Sequence, residues 1–230
     1  MIPNVVNLID DYAFDGCTGL DSISIPESVT RFGNSAFANC TGLTSISLPE
    51  SVTRIGNSTF ANCTELTSFT MGQGVKWIGD SAFYACESLD SICIFDTMLT
   101  IGSCVFKGCK ELKKLTIGNS LTSIGQEAFY DCDELTSVTC SAITPPTAKN
   151  AFEKEQCAKA TLFVPNESIN EYKNAVCWKD FNIKAFDGEE DALPEILTDE
   201  NALDDKFIID GVLYIRKDGR VYDINGIIVE

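Results

Sequence analysis

Apolar and polar positions in this chain repeat with a period of 23 residues. Phe14, Phe37, Phe60, Phe83, Phe106, Phe129 and Phe152 form one column, and Cys17, Cys40, Cys63, Cys86, Cys109 and Cys132 form another. A third holds Leu20, Leu43, Leu66, Leu89, Leu112 and Leu135. Two more lie two residues apart, Ile23/Ile46/Phe69/Ile92/Leu115/Val138 and Ile25/Leu48/Met71/Ile94/Ile117/Cys140. Within one repeat, Leu43-Thr44-Ser45-Ile46-Ser47-Leu48 ends in strict alternation, the period of a strand with one buried face. Pro49-Glu50-Ser51 then breaks the strand, Val52 and Ile55 return to the core, and Gly56 marks a turn where a Cβ would be unwelcome. Asn57-Ser58-Thr59-Phe60 leads back towards the next strand. Each repeat has a face it cannot cover alone, so the pattern predicts a stacked solenoid of six parallel repeats. At the usual strand spacing the stack is roughly 30 Å long.

The period ends after Cys140, where Pro145-Pro146 disturbs it. Thr161-Leu162-Phe163-Val164-Pro165 reads as a final strand, and Ser168-x-x-Glu171 as the start of a helix carrying Ile169, Tyr172 and Val176 on one face. Trp178 and Phe181 are placed to seal the last layer. The solenoid with its cap is therefore assigned to 1–186, the cap occupying about 161–186. An acidic, aperiodic stretch at 187–205 reads as a linker. In 206–230, Asp210-Gly211, Asp218-Gly219 and Asn225-Gly226 separate four short β-rich runs, the signature of a small antiparallel meander. At the other end, Ile2-Pro3-Asn4-Val5-Val6 aligns with Ile25-Pro26-Glu27-Ser28-Val29, so the sequence opens inside a repeat. That start implies the loss of an upstream leader or cap, and an uncovered layer with Ile2, Val6 and Ile9 favours end-to-end pairing.

A net charge of −17 argues against nucleic acid and anionic membrane faces as partners, and no apolar run is long enough to span a bilayer. The eleven cysteines suggest a disulfide framework until they are placed. Six fall in an inward column, where thiols act as small buried hydrophobes with parallel side chains, which suits a bridge poorly. Cys157 and Cys177, outside that column, are the expected exceptions.

The chain has no histidine, so the usual base for a serine or cysteine nucleophile and the commonest metal ligand are missing. No catalytic residue, cofactor site or metal site is assigned. The cysteines show no CxxC pairing, and Asp187-Gly188-Glu189-Glu190-Asp191 lacks the spacing of a calcium loop. Asn39-Cys40-Thr41 and Asn62-Cys63-Thr64 fit the glycosylation pattern, but they recur with the structural period and read as coincidence.

Departures from the repeat are more informative. The two outward columns of the strands are Ser22/Ser45/Ser68/Ser91/Lys114/Ser137 and Ser24/Ser47/Thr70/Cys93/Thr116/Thr139, of which ten are hydroxyls. Against them stand Cys93, Phe95, Lys113 and Lys114, a cysteine, an aromatic expected to be exposed and two cations on adjacent repeats of an acidic molecule. An aromatic beside a cation is a candidate protein-binding centre, weighed against simple drift on a tolerant surface. Trp77, aligned with Arg31 and Arg54, either stacks on Arg54 or leaves an apolar patch on the flank.

Ile25-Pro26, Val29-Thr30-Arg31-Phe32-Gly33, Ala36-Phe37, Cys40 and Leu43-Thr44-Ser45-Ile46 closely resemble the BspA-like leucine-rich repeats, and the resemblance covers about 2–181. Gly72, Phe95 and Gly118 depart from it by replacing the proline. The resemblance implies an α/β-type right-handed solenoid with a parallel sheet on its concave face. It also implies a non-enzymatic module at a bacterial surface or outside the cell, binding partner proteins, host matrix or cell-surface proteins among them, through that sheet. Val221-Tyr222-Asp223-Ile224-Asn225-Gly226 resembles the C-terminal tail of many secreted bacterial surface proteins. The alternative is a structural spacer, anchored by that tail and without a ligand of its own.

Overall fold

The structure, a computed structural model, describes residues 2–186 and the strands 204–209, 212–217 and 220–223. It divides into two compact units, Met1–Ala185 and Phe186–Glu230.

In the first unit the expected strands are β3 (Ser45–Ser47), β5 (Ser68–Thr70), β7 (Ser91–Ile94), β9 (Lys114–Ile117) and β11 (Ser137–Cys140). Their alternation places Ile46, Ile92, Leu115 and Val138 inside. The return limb also forms strands, which the sequence pattern did not predict. These are β1 (Leu8–Ile9), β2 (Arg31–Phe32), β4 (Arg54–Ile55), β6 (Trp77–Ile78), β8 (Thr100–Ile101) and β10 (Ser123–Ile124), joined in one six-stranded sheet. Two residues suffice for each because every strand pairs in parallel with its copy one repeat away, Phe32 facing Ile55 and Ile55 facing Ile78. The unit is thus an α/β repeat solenoid with few helices.

The phenylalanine column forms the spine of the core. Ring centroids from Phe14 to Phe152 follow one another at 4.8, 5.5, 5.2, 5.2, 5.3 and 4.9 Å, each pair stacked. Such offset contacts add about 0.5–1.5 kcal/mol each to the burial of the rings. The first sheet is interrupted between β5 and β7. There Phe69 stands in an otherwise aliphatic column, half-buried, its ring edge-on to Phe83 at 4.6 Å.

The turns rest on close approach and left-handed backbone. A Cβ on Gly56 would lie 2.5 Å from the carbonyl carbon of Gly33 in the preceding coil, so successive coils touch there. Six coils take positive φ twice, at Tyr12, Ser35, Ser58, Ser81, Cys104 and Glu127, and at Gly16, Asn39, Asn62, Ala85, Gly108 and Asp131, and the last takes it once, at Asn150. Asparagine tolerates this conformation, and here it does more. Asn62 Nδ2 donates to Asn39 Oδ1 at 2.9 Å, and Asn39 Nδ2 to Asp15 at 2.8 Å. The two sequon asparagines are thus rungs of a side-chain ladder.

The C-terminal cap differs in detail from expectation. A short helix α1 (Lys154–Lys159) precedes β12 (Thr161–Pro165), the Glu153 N–H donating to Gln156 Oε1 at 3.2 Å. Helix α2 (Ile169–Asn174) follows Ser168, whose hydroxyl does not cap it, because a 3-10 turn at Asn166–Ser168 carries Ser168 into helical backbone and buries it. Val176 lies beyond the helix and is 68% exposed, not on the packed face. Trp178 and Phe181 are buried over Phe152, with Trp178 Nε1 donating to the Pro146 carbonyl at 2.7 Å and Tyr172 Oη to Ala142 at 2.8 Å. A further strand, β13 (Asn182–Phe186), lies beside β12 and extends the sheet to β13-β12-β11-β9-β7.

In the second unit β14 (Asp204–Ile209), β15 (Val212–Lys217) and β16 (Arg220–Asp223) form an antiparallel sheet, with Ile209 opposite Val212 and Lys217 opposite Arg220. The acidic stretch 187–203, with Asp187-Gly188-Glu189-Glu190-Asp191, and the fourth run beyond Asp223 lie outside the described residues.

Candidate interaction face

Parallel register brings the irregular residues onto neighbouring strands. Ser91 of β7 faces Lys114 of β9, and Cys93 faces Thr116. Lys113 and Lys114 both donate their N–H groups to the Asp90 carbonyl, at 2.8 and 3.3 Å, and both side chains are exposed. Lys113 occupies the place where Thr44, Thr67 and Thr136 use their hydroxyls to reach a carbonyl of the preceding coil. Its Nζ lies 3.7 Å from Glu111. Lys114 has no carboxylate within ion-pair distance among the described residues.

Two of the four residues are less exposed than their sequence positions implied. Phe95 follows the end of β7, just before the exposed turn at Asp96–Thr97, and is half-buried, its ring packed against the core. Cys93 is also half-buried, and burial together with nearby Asp96 pushes its thiol up to about 11. Only the lysines stand clear.

Outward exposure also declines along the sheet. Ser91 is exposed and Ser137 half-buried, while Thr139, alongside its register partner Phe163 of β12, retains 8% exposure. Phe163 was missed as a face residue because the cap strand does not keep the 23-residue spacing. Continuing the Ser24-to-Thr139 column by one strand instead of one period would have found it. On the flank, Arg54 Cζ lies 4.0 Å from the Trp77 ring centroid, across the β4–β6 register. Lys107 bonds Glu127 at 2.7 Å and lies 4.8 Å from the Tyr130 ring.

The cysteine column carries polar order within the core. The thiols of Cys40, Cys63, Cys86, Cys109 and Cys132 point to the carbonyls of Phe14, Phe37, Phe60, Phe83 and Phe106, at 3.0–3.3 Å. Burial pushes Cys40 up to about 11 and Cys63 to about 12, and raises the other three well above the ordinary thiol value. These are neutral donors, poorly suited to attack. Cys17 departs from the expected inward set: it is exposed, since among the described residues no coil covers the first one. Among the described residues no group of three or more Cys, Asp or Glu side chains converges as metal ligands would.

The repeat architecture and its sequence columns agree with one family. The description "BspA type Leucine rich repeat region" matches six copies over residues 1–98 and 76–192. The chain belongs to this family. Among solved structures it is similar to the Treponema pallidum leucine-rich repeat protein TpLRR, at 28% identity over 69% of this chain and 73% of that one, with a TM-score of 0.56. The pneumococcal vaccine antigen PcpA shares the fold, at 19% identity and a TM-score of 0.57, the match covering 72% of this chain and 41% of PcpA. No curated protein matches the chain. Leucine-rich repeat proteins are generally protein-interaction modules, typically scaffolds rather than enzymes. No helix among the described residues is long and apolar enough to cross a membrane.

Proposed function

We propose that this chain is a non-enzymatic binding module, exported and displayed at a bacterial surface, that engages partner proteins through the sheet containing β7, β9, β11 and β12. The observation that carries the reading is Lys114, an exposed cation on a column of small hydroxyls, beside Lys113 and opposite Ser91 on the strand that leads through half-buried Cys93 to half-buried Phe95. On a chain of net charge −17 these cations favour an acidic patch on a protein partner, and the partly covered Phe95, further along the neighbouring strand, offers an apolar contact on the same sheet. Family membership and the tail resemblance support export. Matrix and host cell-surface proteins are the partner class that follows from display there.

The test is retention of the labelled chain on immobilised extracellular-matrix and cell-surface proteins, compared with Lys113→Glu/Lys114→Glu. Saturable binding that the double variant loses while keeping its thermal midpoint is the expected result. Equal binding by both refutes the site, and retention of neither refutes the function.

The bland outward columns favour a second reading, a spacer that projects other modules and is held by its tail. In that case the full chain alone associates with cell envelopes, a chain ending at Asp187 does not, and neither captures a matrix protein.

A further inference from the structure

Cys157 and Cys177 are set apart from the thiol column in sequence and brought together by the cap. Cys157 lies on α1 with 1% exposure, its N–H donating to the Glu153 carbonyl at 3.0 Å. Cys177 immediately precedes the 3-10 turn Trp178–Asp180, with φ 77° and ψ −49°, a conformation that non-glycine residues seldom adopt. That backbone directs the chain so that α1 packs against the turn. Both thiols line one surface groove with Tyr130, Glu153, Val176 and Asp180. The column thiols each have a carbonyl acceptor in the preceding coil, whereas these two converge on one groove.

We infer that Cys157 and Cys177 form a redox site, a dithiol that a small-molecule disulfide converts to an intramolecular disulfide tying α1 to the Trp178 turn. The accessibility of the two sulfurs sets the order of events. Cys177 is half-exposed and Cys157 is buried, so Cys177 is the attacking sulfur and Cys157 the resolving one. The neighbouring Cys157 thiol, aided by backbone groups of Phe152 and Ala151, outweighs burial and the opposing Asp180 carboxylate at Cys177. The Cys177 thiol is thereby drawn down to about 7, and Cys157 is pushed up. Thiolate character at the accessible sulfur is what exchange requires.

With glutathione disulfide as the oxidant, the Cys177 thiolate attacks one glutathione sulfur, breaks its S–S bond and expels a glutathione thiolate. Cys157 gives up its proton, its sulfur attacks Cys177, and the second glutathione leaves. Two protein thiols are oxidised, one glutathione disulfide is reduced to two glutathione thiols, and the protons lost by the protein are taken up by the products. The new bond spans from the helix before β12 to the turn that seals Phe152. It therefore fastens the cap on which the last layer of the core depends.

The test exposes the folded full chain to glutathione disulfide, quenches by acid, and maps the cysteines by mass spectrometry after blocking free thiols. The expected product is a cross-link between the peptides of Cys157 and Cys177 without glutathione attached, while exposed Cys17 carries glutathione as the internal control. Cys157→Ala, or Cys157→Ser if the alanine variant does not fold, traps glutathione on Cys177. Amides of 169–181 exchange more slowly in the oxidised chain and return to their former rate with dithiothreitol. Glutathione on wild-type Cys177 with no cross-link, both cysteines still reduced when Cys17 is modified, or a cross-link that leaves exchange unchanged would each overturn the proposal.

Discussion

Raising the pH should unfold the solenoid through its own cysteine column. In the unfolded chain these thiols ionise near 9.0, whereas burial moves Cys40 to about 11 and Cys63 to about 12. The folded value lies above the unfolded one, so between the two the unfolded chain binds fewer protons than the native chain. The linkage slope is then negative: stability is fully present below pH 9.0 and is lost as pH rises towards the folded values. At about 1.4 kcal/mol per tenfold change, Cys40 loses about 3 kcal/mol over its range and Cys63 about 4 kcal/mol. Their sum is comparable to a typical domain stability of about 5–15 kcal/mol. Cys86, Cys109 and Cys132, raised further, act in the same direction. The assay is the urea midpoint from about pH 8 to about pH 10.5 under a phosphine reductant, followed by far-ultraviolet circular dichroism and by the fluorescence of Trp77 and Trp178. Tyr172, also raised by burial, is removed as a contributor with Tyr172→Phe. Cys63→Ala should flatten the decline by one proton's worth. A midpoint unchanged across that range would refute the inward, neutral thiol column.

Trp178→Ala opens a cavity over Phe152 and orphans the Pro146 carbonyl, and should cost about 3–5 kcal/mol, read as a lower thermal midpoint. Gly56→Ala drives a Cβ into the Gly33 backbone, with a cost of about 1–3 kcal/mol by urea titration even though alanine is otherwise tolerated in turns. Ala85 adopts φ 54° in a column that elsewhere holds Asn39 and Asn62, so Ala85→Asn should stabilise by roughly 0.5–1 kcal/mol in the same titration. Cys40→Ser finds an acceptor in the Phe14 carbonyl, which receives the native thiol at 3.0 Å, so its cost of about 1–3 kcal/mol reflects a shorter, wetter side chain rather than a missing partner.

What could be read from the sequence depended on whether a residue's environment repeats with it. Phe37, Cys40, Leu43 and Ile46 occupy the same surroundings in every coil, so their period alone sufficed to place them in the core and to predict a parallel stack. The same logic reached the outward hydroxyls. It did not reach the two-residue strands such as Arg54–Ile55, which are too short to show an alternation and exist only because a neighbour lies in register. Nor could it place the left-handed positions at Ser35, Ser58 and Ser81, since serine carries no preference that signals positive φ. Asn39 and Asn62 did carry that signal, obscured by the sequon they happen to form.

The irregular residues needed the fold. Phe95 and Cys93 break the pattern, and a break shows that a position is unusual without showing how far it is covered; the bend after β7 decided that. Trp77 became a partner of Arg54 through parallel register. Cys157 and Cys177 were recognisable as outsiders, yet their approach depends on α1, on the turn at Trp178 and on an unusual backbone at Cys177, none of which a period encodes. By itself the sequence determined the stacked core, because identical layers impose identical burial. Tertiary structure alone decided the exposure of the odd residues and the pairing in the cap, because those depend on contacts made once.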